Sequence, residues 1–306
     1  MQGIVVKSTG SWYQVRTEKG TIVQCRLKGK FRLSGIKHTN PVTVGDVVDF
    51  EMEPESENGV IHKIHDRKNY IIRKANNLSK QTHIIASNLD QLMLIGTLAF
   101  PKTSLGFIDR VLVTAEAYHI PAIIVFNKVD LMQNGFDEIL SETIQLYEHV
   151  GYPCLKTSAK TGEGLEELKS LLSNKTTLLS GHSGVGKSTL LNTLEPTLNL
   201  KTGIISNYSK KGQHTTTFAE MHPLNFGGFI VDTPGIREFG LVDFDLAEVS
   251  HYFKEMQPLI GQCKYNNCMH VNEPECAIQA AVASGQISEQ RFSSYLSIIS
   301  NQDIYE

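Results

Sequence analysis

Asn127-Lys128-Val129-Asp130 follows the apolar run Ile123-Ile124-Val125-Phe126, and Gly181-His182-Ser183-Gly184-Val185-Gly186-Lys187-Ser188 comes later in the chain. The second stretch fits the phosphate-loop pattern G-x-x-x-x-G-K-[ST]. Leu178-Leu179 precedes it and Thr189-Leu190-Leu191-Asn192 follows, the strand–loop–helix setting such a loop requires. Its glycines let backbone N–H groups converge on phosphate oxygens at the positive end of a helix. Lys187 is placed to reach the β- and γ-phosphates and Ser188 to ligate Mg²⁺, and Thr189, next in the helix start, is counted with them as nucleotide-binding.

The first stretch selects the base. The Asp130 carboxylate can accept two hydrogen bonds from the ring N–H and exocyclic amine of guanine. Adenine lacks that pair and would leave a buried carboxylate unpaired. The Lys128 stem can lie on the purine face, Asn127 can brace neighbouring loops, and Val129 spaces the two. Ser158-Ala159-Lys160 follows another apolar run and can supply a backbone N–H, from Ala159, to the guanine carbonyl. A solvated helix start is the alternative for Asn-Lys-x-Asp taken alone. Asp232-Thr233-Pro234-Gly235 follows Phe229-Ile230-Val231. Asp232 can hold Mg²⁺ directly or through water, and the Gly235 N–H can sense the γ-phosphate. By itself this tetrapeptide is also a good turn.

The order of these motifs is rotated. A conventional guanine-nucleotide hydrolase runs from phosphate loop to Asp-x-x-Gly to Asn-Lys-x-Asp to Ser-Ala-Lys, whereas here the last two come first. A pocket built from loops along one sheet edge does not depend on chain order, so the expectation is a circularly permuted P-loop GTPase. Gly212-Gln213-His214-Thr215-Thr216-Thr217 lies between phosphate loop and Asp232. A Thr there completes Mg²⁺ coordination in the triphosphate state, and Thr216 is favoured over Thr215 and Thr217. Ile236 stands where a Ras-like enzyme places a water-orienting Gln. Ile236 cannot orient water and His214 is the nearest substitute, so slow hydrolysis accelerated by a partner is expected.

Outward from this centre, strands and helices alternate from about residue 80. Gln91–Leu98, Ala122–Phe126, Pro153–Thr157, Thr177–Leu179 and Phe229–Val231 read as buried strands. Leu105–Tyr118, Phe136–His149, Leu165–Leu172 and Lys187–Leu194 read as helices. That pattern implies a mostly parallel sheet covered on both faces, with ligands at the strand C-termini. Residues 1–70 read as all-β, with short alternating runs at Gly3–Lys7, Trp12–Arg16, Thr21–Leu27, Asp46–Met52 and Val60–Ile64, which suits a small OB-type barrel. Residues 1–80 hold 14 basic and 8 acidic side chains against 15 and 24 in the remainder, so a basic segment suited to a polyanion sits on an acidic body. Lys28, Lys30, Arg32 and Lys37 flank Phe31, a mix suited to phosphate contact and base stacking, although Phe31 could equally plug the barrel. After Asp243 the chain reads as helical, with helices near Ala277–Ser284 and Ser288–Ile299. Cys263-x₄-Cys268-x-His270-x₅-Cys276 interrupts it. Three thiolates and one imidazole suit a closed, structural Zn²⁺ site. Glu273 and Glu275 are weaker ligand candidates, His222 and His251 read as structural, and Cys25 and Cys154 read as small buried side chains. Three domains are expected: 1–70, a nucleic-acid-binding barrel; 78–242, the permuted GTPase; and 243–306, a helical zinc-binding domain. No apolar run approaches a membrane span and no signal pattern opens the chain, so a cytosolic, membrane-free protein is expected.

Together these features resemble the ribosome small-subunit-dependent GTPase A family. The resemblance covers nearly the whole chain: the barrel, Asn127–Asp130 ahead of Gly181–Ser188, Gly212–Thr217 and the Cys263/Cys268/His270/Cys276 cluster. Ile236 matches the hydrophobic residue of that family, and His214 its histidine proposed to assist hydrolysis. Gln213 departs from the family, in which Arg is commoner. The resemblance implies a monomeric cytoplasmic GTP hydrolase that binds ribosomal RNA. It further implies action late in maturation of the bacterial small ribosomal subunit, and stimulation by that subunit. The rival readings are a GTP-regulated RNA-binding scaffold with negligible catalysis, a permuted GTPase of large-subunit assembly, and an ATP-dependent zinc enzyme.

Overall fold

A computed structural model describes residues 1–28, 41–74, 82–132, 136–200, 219–232 and 244–300. The chain forms two compact units, each discontinuous in sequence. One comprises Met1–Leu92, Glu166–Leu179 and Leu191–Glu238, the other Met93–Leu165, Ser180–Leu190 and Phe239–Glu306.

The first unit opens with five short strands: β1 (Gln2–Ser8), β2 (Tyr13–Thr17), β3 (Ile22–Leu27), β4 (Val47–Met52) and β5 (Gly59–Ile64). Each lies within a residue or two of its expected position. β1 pairs antiparallel with both β2 and β4, β2 with β3 and β4 with β5, while β3 runs parallel to β5. The ring therefore closes on itself, which removes exposed edges from the set. Alternation points Val5, Tyr13, Val15, Cys25, Val48, Phe50 and Ile61 into one buried cluster.

Beyond the barrel, β6 (Tyr70–Lys74) and β7 (Thr82–Ser87) form an antiparallel pair absent from the expected strands: β6 begins where the expected barrel ends, and β7 precedes the first strand expected in the 78–242 segment. Asp46 ties this pair to the barrel. Its buried carboxylate accepts from Arg67 Nε at 2.6 Å, Arg67 Nη2 at 2.7 Å, Ser87 Oγ at 2.6 Å and Thr43 N at 2.9 Å. Removing one partner of a buried ion pair leaves the other charge uncompensated. Asp46→Ala is expected to destabilise this unit by about 3 kcal/mol, measured by urea unfolding. A loss below about 0.5 kcal/mol, typical of surface changes, would contradict that reading of Asp46.

The chain continues through β8 (Gln91–Gly96), α1 (Leu105–Ala117), β9 (Ala122–Asn127), α2 (Phe136–His149), β10 (Cys154–Thr157), α3 (Leu165–Leu172), β11 (Thr176–Ser180), α4 (Lys187–Leu194), β12 (Glu220–Pro223), β13 (Phe229–Asp232), α5 (Ala277–Ala283) and α6 (Glu289–Ile299). In the first unit β11 runs parallel to β13, and β12 is antiparallel to β13. β12 also meets β1 at Lys7↔Glu220, where the two side chains form a 3.0 Å ion pair. In the second unit β9 pairs parallel with β10, and β8 lies on its other side. Every residue of β8 and β9 is buried, as expected of strands covered on both faces.

α1 is buried on nearly every side from Gly106 to Ala115. Its N-cap, Ser104, accepts from the Phe107 N–H. A helix apolar all round needs cover on the side away from the sheet. Val113 of α1 joins a second core with Val249, Phe253, Met256, Ile278, Ile287 and Tyr295 of the C-terminal segment. That segment differs from expectation in one respect. Between Leu246 and Leu259 its described turns are 3₁₀ pieces, Leu246–Tyr252 and Gln257–Leu259, rather than α-helix. Pro258, which cannot donate a backbone hydrogen bond, sits within the second of them. No helix among the described residues is long and apolar enough to cross a membrane.

Candidate active site and metal centre

The loop from Gly181 to Gly186 and the tetrapeptide Asn127–Asp130 both belong to the second unit. Asn127 ends β9 and is 1% exposed. Its Nδ2 donates to the Val185 carbonyl at 2.8 Å, and its Oδ1 accepts from Thr157 Oγ1, at the end of β10, at 3.2 Å. One buried amide thus links β9, β10 and the glycine-rich loop. Gly186 has φ +91, and a Cβ there would lie 2.6 Å from Asn127 Nδ2. Only glycine allows the loop so close to Asn127.

Lys128 adopts a left-handed conformation, φ 64, and its Nζ donates to Gly184 O at 2.6 Å and Phe100 O at 2.8 Å. The second lysine, Lys187, donates to the carbonyls of Gly181 at 2.6 Å and His182 at 2.8 Å. The loop carbonyls are therefore tied down by cations, as suits a loop whose N–H groups must face an anion. Ser188 and Thr189 sit in the first turn of α4, where the helix dipole favours negative charge. The His182 ring packs on Phe107 of α1, centroids 3.7 Å apart.

Asp130 follows in a short 3₁₀ turn, its side chain 12% exposed. Ser158 Oγ donates to Asp130 Oδ1 at 2.7 Å, and Lys160 Nζ lies 3.9 Å from Oδ2. Ser158 Oγ also accepts from the Thr161 N–H at 3.2 Å. Asn127, Lys128, Asp130, Ser158 and the glycine-rich loop are thus brought together at the ends of β9 and β10, and Val129 and Ala159 lie between them. Asp232 ends β13, in the first unit. His214, Thr216 and Gly235 lie outside the described residues, as do Lys30, Phe31, Arg32 and Lys37 of the proposed barrel loop. Lys28 is described: it is exposed just beyond β3, its N–H donating to Ile61 O at 3.1 Å. The sequence reading missed Thr157, Phe100 and Phe107, which meet the site through the fold and carry no local motif.

Also in the second unit, the ligand atoms of Cys263, Cys268, His270 and Cys276 lie within 4.8 Å of one another. Cys263 Sγ is 3.8 Å from Cys276 Sγ and 3.6 Å from His270 Nδ1, and His270 Nδ1 is 3.4 Å from Cys276 Sγ. A tetrahedral zinc with bonds of about 2.3 Å to sulfur and about 2.0 Å to nitrogen requires S···S edges of about 3.8 Å and S···N edges of about 3.5 Å. The residues fit such an ion through Nδ1 of the imidazole. Glu273 is no ligand in this arrangement. Its carboxylate accepts from the N–H groups of Met269 at 2.8 Å, Val271 at 2.7 Å and Asn272 at 3.1 Å, which fixes the turn carrying His270. Burial works against the Glu273 charge, but these backbone hydrogen bonds outweigh it and hold the carboxyl below its ordinary pKa. Cys25 and Cys154 lie apart from this cluster, Cys25 buried and Cys154 half-buried. Burial pushes the Cys25 thiol up to about 11 and the Cys154 thiol up to about 12, which keeps both protonated near neutral pH.

Comparison with known proteins agrees with this architecture. Residues 64–242 match the RsgA GTPase family and residues 2–61 match the RsgA N-terminal domain. A Flavobacterium psychrophilum protein called small ribosomal subunit biogenesis GTPase RsgA is 54% identical over 305 residues, covering 99% of this chain and 94% of that protein. A Bacteroides fragilis protein of the same name is 52% identical over 303 residues, covering 99% and 97%. Among solved structures, YjeQ from Thermotoga maritima is similar with a TM-score of 0.79 and 36% identity, covering 98% of both chains. YloQ, described as a circularly permuted GTPase, gives a TM-score of 0.74 at 27% identity, covering 98% of this chain and 94% of that one. A barrel of five strands, a glycine-rich loop encoded after the Asn-Lys-Val-Asp tetrapeptide and relatives alike along nearly their whole length lead to one assignment: this chain belongs to the RsgA GTPase family, whose members are circularly permuted GTP hydrolases.

Proposed function

We propose that this protein is a cytoplasmic, monomeric GTP hydrolase that serves as a late assembly and checkpoint factor for the small ribosomal subunit. The reading rests above all on Asp130, whose carboxylate is held by Ser158 in the same unit as a phosphate loop encoded after it. The relatives' name, small ribosomal subunit biogenesis GTPase, supplies the partner. Asp130 and Ala159 would read guanine, Lys128 would cover its face, and the loop N–H groups with Lys187 would hold the phosphates. Ser188, Thr216 and Asp232 offer hard oxygen donors suited to Mg²⁺. Mg²⁺ supplies neutralisation of charge on the β- and γ-phosphate oxygens. His214 would help place the attacking water, since Ile236 has no polar atom to do so. Residues 1–70, with Lys28, Lys30, Phe31, Arg32 and Lys37, would contact ribosomal RNA. Residues 78–242 would form the hydrolase, and residues 243–306 would hold one structural Zn²⁺.

Purified small subunits are expected to raise single-turnover GTP hydrolysis by at least about 10-fold, well short of the roughly 10³–10⁵ that a catalytic group supplied by a partner can give. Protein-free ribosomal RNA at equal nucleotide concentration serves as the control. Equal rates with subunits, with RNA and with neither would remove the checkpoint reading and favour a nucleotide-regulated scaffold.

A further inference from the structure

Arg291 of α6 and Asp109 of α1 are both wholly buried, and the Glu255 side chain beside them is 9% exposed. Arg291 Nη1 donates to Asp109 Oδ1 at 2.6 Å, while its Nε and Nη2 grip Glu255 at 2.7 and 2.9 Å. Tyr147 OH donates to Asp109 Oδ1 at 2.9 Å and Gln290 Nε2 to Oδ2 at 3.2 Å. The guanidinium lies 4.9 Å from the centroid of the Phe253 ring. Burial opposes its charge, and the two carboxylates outweigh burial and raise its pKa.

Three buried charges are a poor choice for adhesion alone, because apolar side chains of similar volume often join helices as well or better. The planar fork of an arginine adds a fixed geometry instead. That geometry is set two residues from Phe107, whose ring packs on His182 of the glycine-rich loop. The turn before α1 meets the same site, since Phe100 O accepts from Lys128 Nζ. One turn further along α6, Tyr295 OH donates at 2.7 Å to Met269 O, beside His270 of the Cys/His cluster. These contacts all fall within the second unit and run unbroken from metal cluster to phosphate loop.

We propose that Arg291 is a positioning residue for GTP turnover, acting through Asp109 and α1 to fix the Phe107–His182 contact at the phosphate loop. A shift of about 1 Å in α1 would carry Phe107 with it, and displacements of that size near a reacting centre lower rates by up to about 100-fold. The inference rests on the chain's being a GTPase and not on its ribosomal partner.

The test uses the full-length protein without ribosomes. Arg291→Gln combined with Asp109→Asn keeps a hydrogen-bonding pair between α6 and α1 while removing the salt bridge. This pair is expected to lower kcat for GTP by about 10-fold with KM within about threefold of wild type. Phe107→Leu is expected to lower kcat as well, and adding it to the amide pair should give no further loss, since both act on one contact. A lower melting temperature with kcat within about twofold of wild type would overturn the proposal, as would losses that multiply. Glu255→Gln provides a milder variant should the amide pair fail to fold. It is expected to cost about threefold in kcat, again without adding to Phe107→Leu, and an unchanged kcat in it is equally fatal. Wild-type turnover, measured alongside, reports separately on the GTPase reading.

Discussion

Asp130→Asn is expected to weaken GTP binding by at least about 100-fold and to create a preference for xanthosine triphosphate. On the proposed assignment the carboxylate accepts from two guanine donors, each a charge-assisted hydrogen bond. An asparagine keeps one acceptor oxygen and turns an amine toward the guanine amine, so one bond is lost and one repulsive contact appears. Xanthine carries a carbonyl where guanine carries that amine, and the new side-chain amine can donate to it. Local structure should survive, because the Ser158 hydroxyl that now donates to Asp130 Oδ1 can donate equally to an amide oxygen. Paired titrations with the two nucleotides, on wild type and variant, decide the matter. Equal affinity of the variant for both, at the wild-type level, would mean that the base is read elsewhere.

Cys276→Ser should abolish metal binding and lower the melting temperature by at least about 10 °C. Structural zinc contributes apparent energies of about 10–16 kcal/mol to small domains, and 1 kcal/mol moves the melting point of a chain this size by about 2–4 °C. Serine is the informative substitution because Cys276 has two roles. Its sulfur is one of the clustered ligand atoms, and it also caps α5 by accepting from the Gln279 N–H. A serine hydroxyl is a good N-cap, so the cap is retained and only the thiolate is lost. Cys276 also belongs to the core formed with Phe253, Ile278 and Tyr295, so releasing the ion should loosen α5 and α6 together. Metal analysis and calorimetry on wild type and variant give the answer. A wild-type protein free of zinc, or a variant that melts with it, would count against a structural ion.

The local parts of this molecule were readable from sequence, and the long-range parts were not. α2, α3 and α4 have the expected ends to the residue, and the barrel strands shift by at most two, because periodicity and turn residues act over a few positions. β12 escaped notice since Glu220–Pro223 is four residues long and ends in proline, a residue rare inside a strand. β6 and β7 are rich in isoleucine, but β6 begins at the boundary drawn after residue 70 and β7 lies ahead of the first strand expected in the 78–242 segment. At the site, glycine spacing and the Asn-Lys-x-Asp tetrapeptide carried their own signal. The partners that hold them did not. Thr157, Phe107 and Phe100 are ordinary residues until folding places a hydroxyl, a ring and a carbonyl against Asn127, His182 and Lys128. Asp109, Glu255 and Arg291 are likewise three isolated charges in the sequence and one network in the fold.

The way β1 is shared bears on how this protein can be dissected. The strand pairs with β2 along one edge, and its other edge is divided between β4, at Gln2–Ile4, and β12, at Lys7↔Glu220. Deleting the first 66 residues would strip β12 of the neighbour it has on the side away from β13, baring backbone donors and acceptors that invite self-association. In a shortened chain that fails to bind ribosomes, aggregation and loss of the proposed RNA contacts would give the same result. Point changes on the barrel's outer surface leave that seam intact and give the cleaner comparison.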